Sequence, residues 1–97
     1  MKSLADLVVT DFEPRQGETF TLRAPDREID LELMQIKRLG ESGRAGGAFS
    51  LLLRGKPGPY VPQAIYAIDH PALGTLDVFI VPIGPLPGGN GYEIIFT

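Results

Sequence analysis

Four carboxylates recur at every second position, Asp26, Glu28, Asp30 and Glu32, which on a strand places them on one face. Hard cations such as calcium need several oxygens converging on a point. A straight ladder instead spaces its carboxylates roughly 7 Å apart, two strand rises, and they diverge. The series therefore reads as a solvated strand face that discourages edge pairing. Arg23, Arg27, Lys37 and Arg38 are the charges expected to compensate it across strands.

His70 is the single histidine, set between Asp69 and Pro71. A Ser–His–Asp relay needs a hydroxyl and a carboxylate at the two ring nitrogens. Ser3, Ser42 and Ser50 lack the flanking glycines of a nucleophile elbow. An imidazole just before proline is read instead as ordering its turn by hydrogen bonding. Gly55-Lys56 has neither the upstream glycine nor the following Ser/Thr of a phosphate loop. Residues 40–47 (GESGRAGG) lack GxGxxG spacing ahead of a helix. Asp77 and Glu93 would have to share a cleft to act as a hydrolase pair, and nothing in the sequence sets them there. The reading is non-enzymatic, with no catalytic residue, cofactor or metal assigned.

The elements that must position these groups are short. The chain has 97 residues, formal charge −3, 12 glycines, 9 prolines and no cysteine. That length supports one domain, residues 1–97. The lack of cysteine removes disulfides, thiolate metal sites and a cysteine nucleophile, and it fits a cytoplasmic setting. Asp6 interrupts the N-terminus before any apolar signal core forms. The longest charge-free run, residues 78–92, holds three prolines and four glycines, so it cannot span a bilayer as a helix. No basic cluster exceeds Lys37-Arg38, which argues against nucleic acid as a partner.

Ser3 and Asp6 match a capping box and predict a short helix over residues 4–9. From there the pattern has period two. Strands are expected at residues 18–24, 28–39, 48–54, 63–69, 75–83 and 92–97, with turns at 40–47, 55–62, 70–74 and 84–91. Within the second, Ile29, Leu31 and Leu33 share a parity that Met34 and Ile36 then reverse, which is the mark of a β-bulge. Leu51-Leu52-Leu53 suggests burial on both faces of the third. The sum is an all-β domain with one short N-terminal helix, a six-stranded antiparallel meander rolled into a small barrel, the helix covering one end.

Charge is distributed unevenly. Of 9 basic and 12 acidic side chains, residues 57–97 carry only Asp69, Asp77 and Glu93. An apolar outer surface on strands four to six points to a protein partner or to self-association as a homo-oligomer. The stiff Pro-rich connections present Tyr60, Val61 and Leu86 as candidate partner-binding residues. The alternative is a small apolar ligand held inside the barrel by Phe20, Phe49, Tyr66, Phe79 and Tyr92.

At residues 49–55 (FSLLLRG), 62–73 (PQAIYAIDHPAL) and 74–84 (GTLDVFIVPIG) the chain resembles an uncharacterised family of short bacterial proteins. These carry FSLL-x-RG, PQG-x-Y, HP-x-LG, an LFLVPIG-like strand and a terminal YE-x-x-F, which here reads Tyr92-Glu93-Ile94-Ile95-Phe96. The resemblance extends from Asp11-Phe12 and Gly17-Glu18-Thr19-Phe20 onward. Ala64 stands where the family has glycine, a change that bears on close backbone approach rather than on the fold. The family is a domain of unknown function, so the resemblance implies no activity or cofactor. It implies an association with phage-tail-like or collar-type proteins.

Overall fold

A computed structural model describes residues 6–40, 43 and 47–97. Its elements are a one-turn helix α1 (Val9–Phe12) running into a 3₁₀ turn (Glu13–Arg15), then six strands. These are β1 (Thr19–Ala24), β2 (Arg27–Gly40), β3 (Ala48–Gly55), β4 (Ala64–His70), β5 (Gly74–Leu86) and β6 (Gly89–Phe96). All pairings are antiparallel and the sheet closes into a barrel in the order β1-β2-β3-β6-β5-β4. The expected antiparallel barrel is present. Its order shows two three-stranded meanders facing each other, joined where residues 56–63 cross one end from β3 to β4.

The period-two pattern sets the inside. Phe20 and Leu22 on β1, Leu31 and Leu33 on β2, Phe49, Leu51 and Leu53 on β3 are all buried, as are Leu76, Val78 and Ile80 on β5. The parity flip on β2 is a bulge. Leu33 pairs with Leu53, Met34 is skipped, and Gln35 and Ile36 pair with Leu52 and Leu51. The extra residue keeps Ile36 on the core side, where it packs partly buried. Leu52 corrects the expectation of two buried faces: only Leu51 and Leu53 are fully inside, and Leu52 is half-buried on the outer wall.

The described α-helical turn begins at Val9, where the expected span of residues 4–9 ends. Ser3, Leu4 and Ala5 fall outside the described residues, and the helical turn is Val9–Phe12. Asp11 makes a reach-back contact here, its Oδ2 accepting from Val8 N at 2.9 Å. Spacing of i, i+3 turns Val9 and Phe12 to one side, and both are buried. Phe12 closes the barrel end it faces, with ring centroids 6.3, 5.6 and 5.5 Å from Phe20, Phe49 and Phe96.

Residues 84–91 are also strand rather than an open tip. Leu86 pairs with Gly89, leaving Pro87 and Gly88 as the turn. Gly88 has φ 86°, which follows proline in the manner of a type II turn. At Gly89 a Cβ would lie 1.9 Å from the Gly55 carbonyl oxygen, so only glycine lets the hairpin sit against β3.

Because Phe12 is fully buried in an aromatic cluster, Phe12→Ala is expected to cost about 3–5 kcal/mol. Urea denaturation checks it, and a loss under about 1 kcal/mol would mean that α1 does not seal the barrel.

Candidate functional site

The mouth opposite Phe12 is closed by the Pro-rich connection itself. Val61 is 3% exposed and part of the core, and its backbone N–H donates to Tyr92 Oη at 3.2 Å. Tyr60 stands edge-on to Tyr92 with centroids 5.5 Å apart. Arg27 donates to the Pro59 carbonyl at 3.1 Å and Asn90 to the Gly58 carbonyl at 2.9 Å. Tyr60 and Val61 are thus a plug, and Val61 presents nothing to a partner. Leu86 is half-buried beside its hairpin turn. A solvent-open groove of about 390 Å³ remains beside the plug, lined by Arg27, Lys56, Asn90 and Tyr92 among others.

Three of the four ladder carboxylates have a side-chain partner, two of them cationic, and Asp26 is exposed at the β1–β2 turn. Glu28 meets Arg23 at 3.3 Å, Asp30 accepts from Thr21 at 3.2 Å, and Glu32 accepts from Arg54 at 2.8 Å. Of the expected compensating charges only Arg23 serves the ladder. Arg27 is turned to Pro59, Arg38 pairs with Glu13 at 3.2 Å, and Arg54 takes a role the sequence reading missed. Among the described residues no three His, Cys, Asp or Glu side chains are grouped to hold a metal.

His70 orders its turn. Its Nδ1 accepts from Ala72 N at 3.0 Å, which leaves Nε2 to donate to Glu18 Oε1 at 2.6 Å. The ring is buried and sits 4.6 Å from Phe20. Both nitrogens are therefore engaged, and no serine hydroxyl is among their partners. Next to it, Asp69 accepts from Thr75 Oγ1 at 2.6 Å and pairs with Arg23. The Thr75 hydrogen bond, then Arg23, hold the Asp69 carboxyl below the usual carboxylate range. Asp77 and Glu93 stay apart: Glu93 pairs with Val81, four residues or roughly 13 Å along β5 from Asp77, too far for a hydrolase pair.

The remaining wall is apolar. On β4, β5 and β6 the large side chains Ile65, Phe79 and Ile95 point outward at 69%, 50% and 51% exposure. Ile65 pairs directly with Phe79. Ile95 faces Phe79 across a shallow groove that both side chains line, so the three form an apolar row over β4, β5 and β6. Ile83 is a fourth exposed apolar residue on β5. Phe79 was expected inside with Phe20, Phe49, Tyr66 and Tyr92; the other four are buried and Phe79 is not. Its parity was available in the sequence, since Thr75 and Asp77 lie on the same face of the strand.

Two outcomes follow. Asp69, depressed when folded, adds stability above its unfolded value near about 4 and loses it as pH falls through the folded value. Asp69→Asn is thus expected to be less stable than the parent at pH 7, with the gap closing in acid; a gap independent of pH would mean the carboxylate charge is not what matters. Val61→Asp buries an unpaired charge and is expected to lower stability by more than about 3 kcal/mol, measured by thermal unfolding, whereas an exposed Val61 would tolerate it.

No curated protein and no solved structure is significantly similar to the chain. From Leu7, ahead of the plugging helix, to Phe96 at the end of β6, residues 7–96 match the family described as domain of unknown function (DUF6916), and with every element of the barrel inside that span the chain belongs to this family.

Proposed function

We propose that the domain is a non-enzymatic interaction or assembly module that docks through the outer wall of β4, β5 and β6. The observation that carries this reading is the Ile65–Phe79–Ile95 row on a wall almost free of charge. The opposite wall differs in kind, because it is charged and its acids Glu28, Asp30 and Glu32 already meet Arg23, Thr21 and Arg54. Contiguous exposed apolar surface on a small domain is the usual sign of an interface.

Magnitudes bound what the row can do. Covering the exposed half of three such side chains returns about 2–4 kcal/mol. Micromolar binding requires roughly 8 kcal/mol, so a partner has to engage more than these side chains. The rival reading, an apolar ligand inside the barrel, draws less support, because the interior is occupied by the barrel's own side chains and a ring this small leaves little room.

Sedimentation equilibrium over a range of concentrations tests the wall. The parent is expected to show concentration-dependent attraction between molecules. Phe79→Asp should abolish it while leaving the unfolding free energy within about 0.5 kcal/mol of the parent, as for a surface change. A parent that behaves ideally throughout, indistinguishable from the variant, counts against the wall as an interface.

A further inference from the structure

The apolar wall contains an interruption in the ladder. β4 pairs with β5 without a break from Ala64–Ile80 to His70–Gly74. β5 pairs with β6 only from Val81–Glu93 onward to the turn. The end of β6 is held instead by β3, through Ser50–Ile95 and Leu51–Ile94. Among the described residues, β5 before Val81 therefore has a strand on one side only. A groove of about 210 Å³ lies in this seam, between residues 77–79 of β5 and residues 94–97 at the end of β6 and just beyond it.

In an antiparallel strand alternate residues direct their N–H and C=O groups to opposite neighbours. Half of the backbone groups of β5 residues 75–79 thus face the seam rather than β4. An open edge of this kind is completed by an added strand. The side chains beside it specify that strand. Phe79 and Ile95 flank the groove, and Asp77, exposed on the same face of β5 as Phe79, has no ion-pair partner among the described residues. A strand lying along β5 would set an apolar residue beside Phe79 and, two places on, a residue beside Asp77.

We propose that the seam accepts an extended segment of another protein, apolar at alternate positions and carrying a lysine or arginine opposite Asp77. This rests on the docking reading of the wall and supplies the backbone hydrogen bonds that the apolar row lacks. A second copy of the chain can meet the apolar wall face to face but is a poorer occupant of the seam itself. Antiparallel self-pairing of β5 centred on Asp77 sets that carboxylate against its own copy, which is destabilising, and the chain carries a net charge of −3.

The test uses the full chain, ¹⁵N-labelled, with the peptide acetyl-Thr-Val-Thr-Lys-Thr-Val-Thr-amide, which sets Lys and Val two places apart on one face, and a counterpart with Glu for Lys. In the free protein the amides of residues 75–79 should alternate between slow and fast hydrogen exchange. The Lys peptide is expected to slow the fast set by at least about tenfold, as strand addition does, with shifts centred on residues 75–79 and 94–96. The Glu peptide should bind at least about tenfold more weakly, and Asp77→Lys should reverse the preference, since cross-strand charge pairs set it. Uniformly slow amides in the free chain, or no protection by the Lys peptide, overturn the proposal. Shifts spread over Ile65 and Ile83 without amide protection also overturn it, while leaving the apolar wall intact as a docking surface. Equal binding of both peptides removes the role of Asp77.

Discussion

Closure of six strands into one ring is the constraint on which the rest depends. A ring this small has an interior no wider than the side chains that point into it. Each strand must therefore send its large apolar residues inward at every second position. Where a strand is too long for one parity, it has to slip, and β2 does so at Met34. The two open ends must also be stopped. One is stopped by Phe12 on the short helix, the other by Tyr60 and Val61 on the connection that crosses from one meander to the other. With both ends sealed and the inside filled, binding chemistry is left to the outer wall.

That wall is divided. Around β1, β2 and β3 the carboxylates meet guanidinium and hydroxyl groups at hydrogen-bonding distance. Exposed pairs of this kind contribute little each, but they leave no net demand for a partner. His70 belongs to the same region and to the same logic, its two nitrogens spent on the turn and on Glu18. Around β4, β5 and β6 the large outward side chains are apolar, and of three acids Asp69 alone, at the border with β1, is matched among the described residues, by Arg23 and Thr75. Asymmetry between the two halves is therefore a property of the surface, while the core runs continuously through both.

Much of this could be read from residue order. Period-two burial placed the strands to within a few residues, except that β5 and β6 run on into the expected turn at residues 84–91. The conflict between Leu33 and Ile36 announced the bulge, because a phase error in a hydrophobic pattern has only one cheap remedy. The turn-ordering histidine was legible from its place before Pro71. Other features were not. Phe79 was assigned inward because aromatic residues are usually buried, although Asp77 on the same parity already fixed the opposite answer. Val61 looked like a tip because prolines surround it; only the crossing of residues 56–63 over the barrel end buries it. The ring order and the seam depend on how far twisted strands stay within bonding distance, which no local pattern encodes. Arg54 was overlooked because its partner Glu32 lies 22 residues away.

The arrangement of the two meanders has a consequence for how the chain reaches this state. β1 is closed by β4 and β3 by β6, contacts that span from 35 residues (Gly55 to Asn90) to 48 residues (Thr21 to Asp69) of sequence. Local hairpins can form within each triplet, yet neither triplet has a covered core until the other arrives. Topologies rich in such distant pairings fold slowly relative to helical domains of equal size. During synthesis the N-terminal triplet must wait, with the β3 edge bare, until β6 has left the ribosome. Cooperative closure of the ring thus waits for its last strand, and in the interval the hydrophobic run around Leu51 on the bare β3 edge is exposed to misassociation.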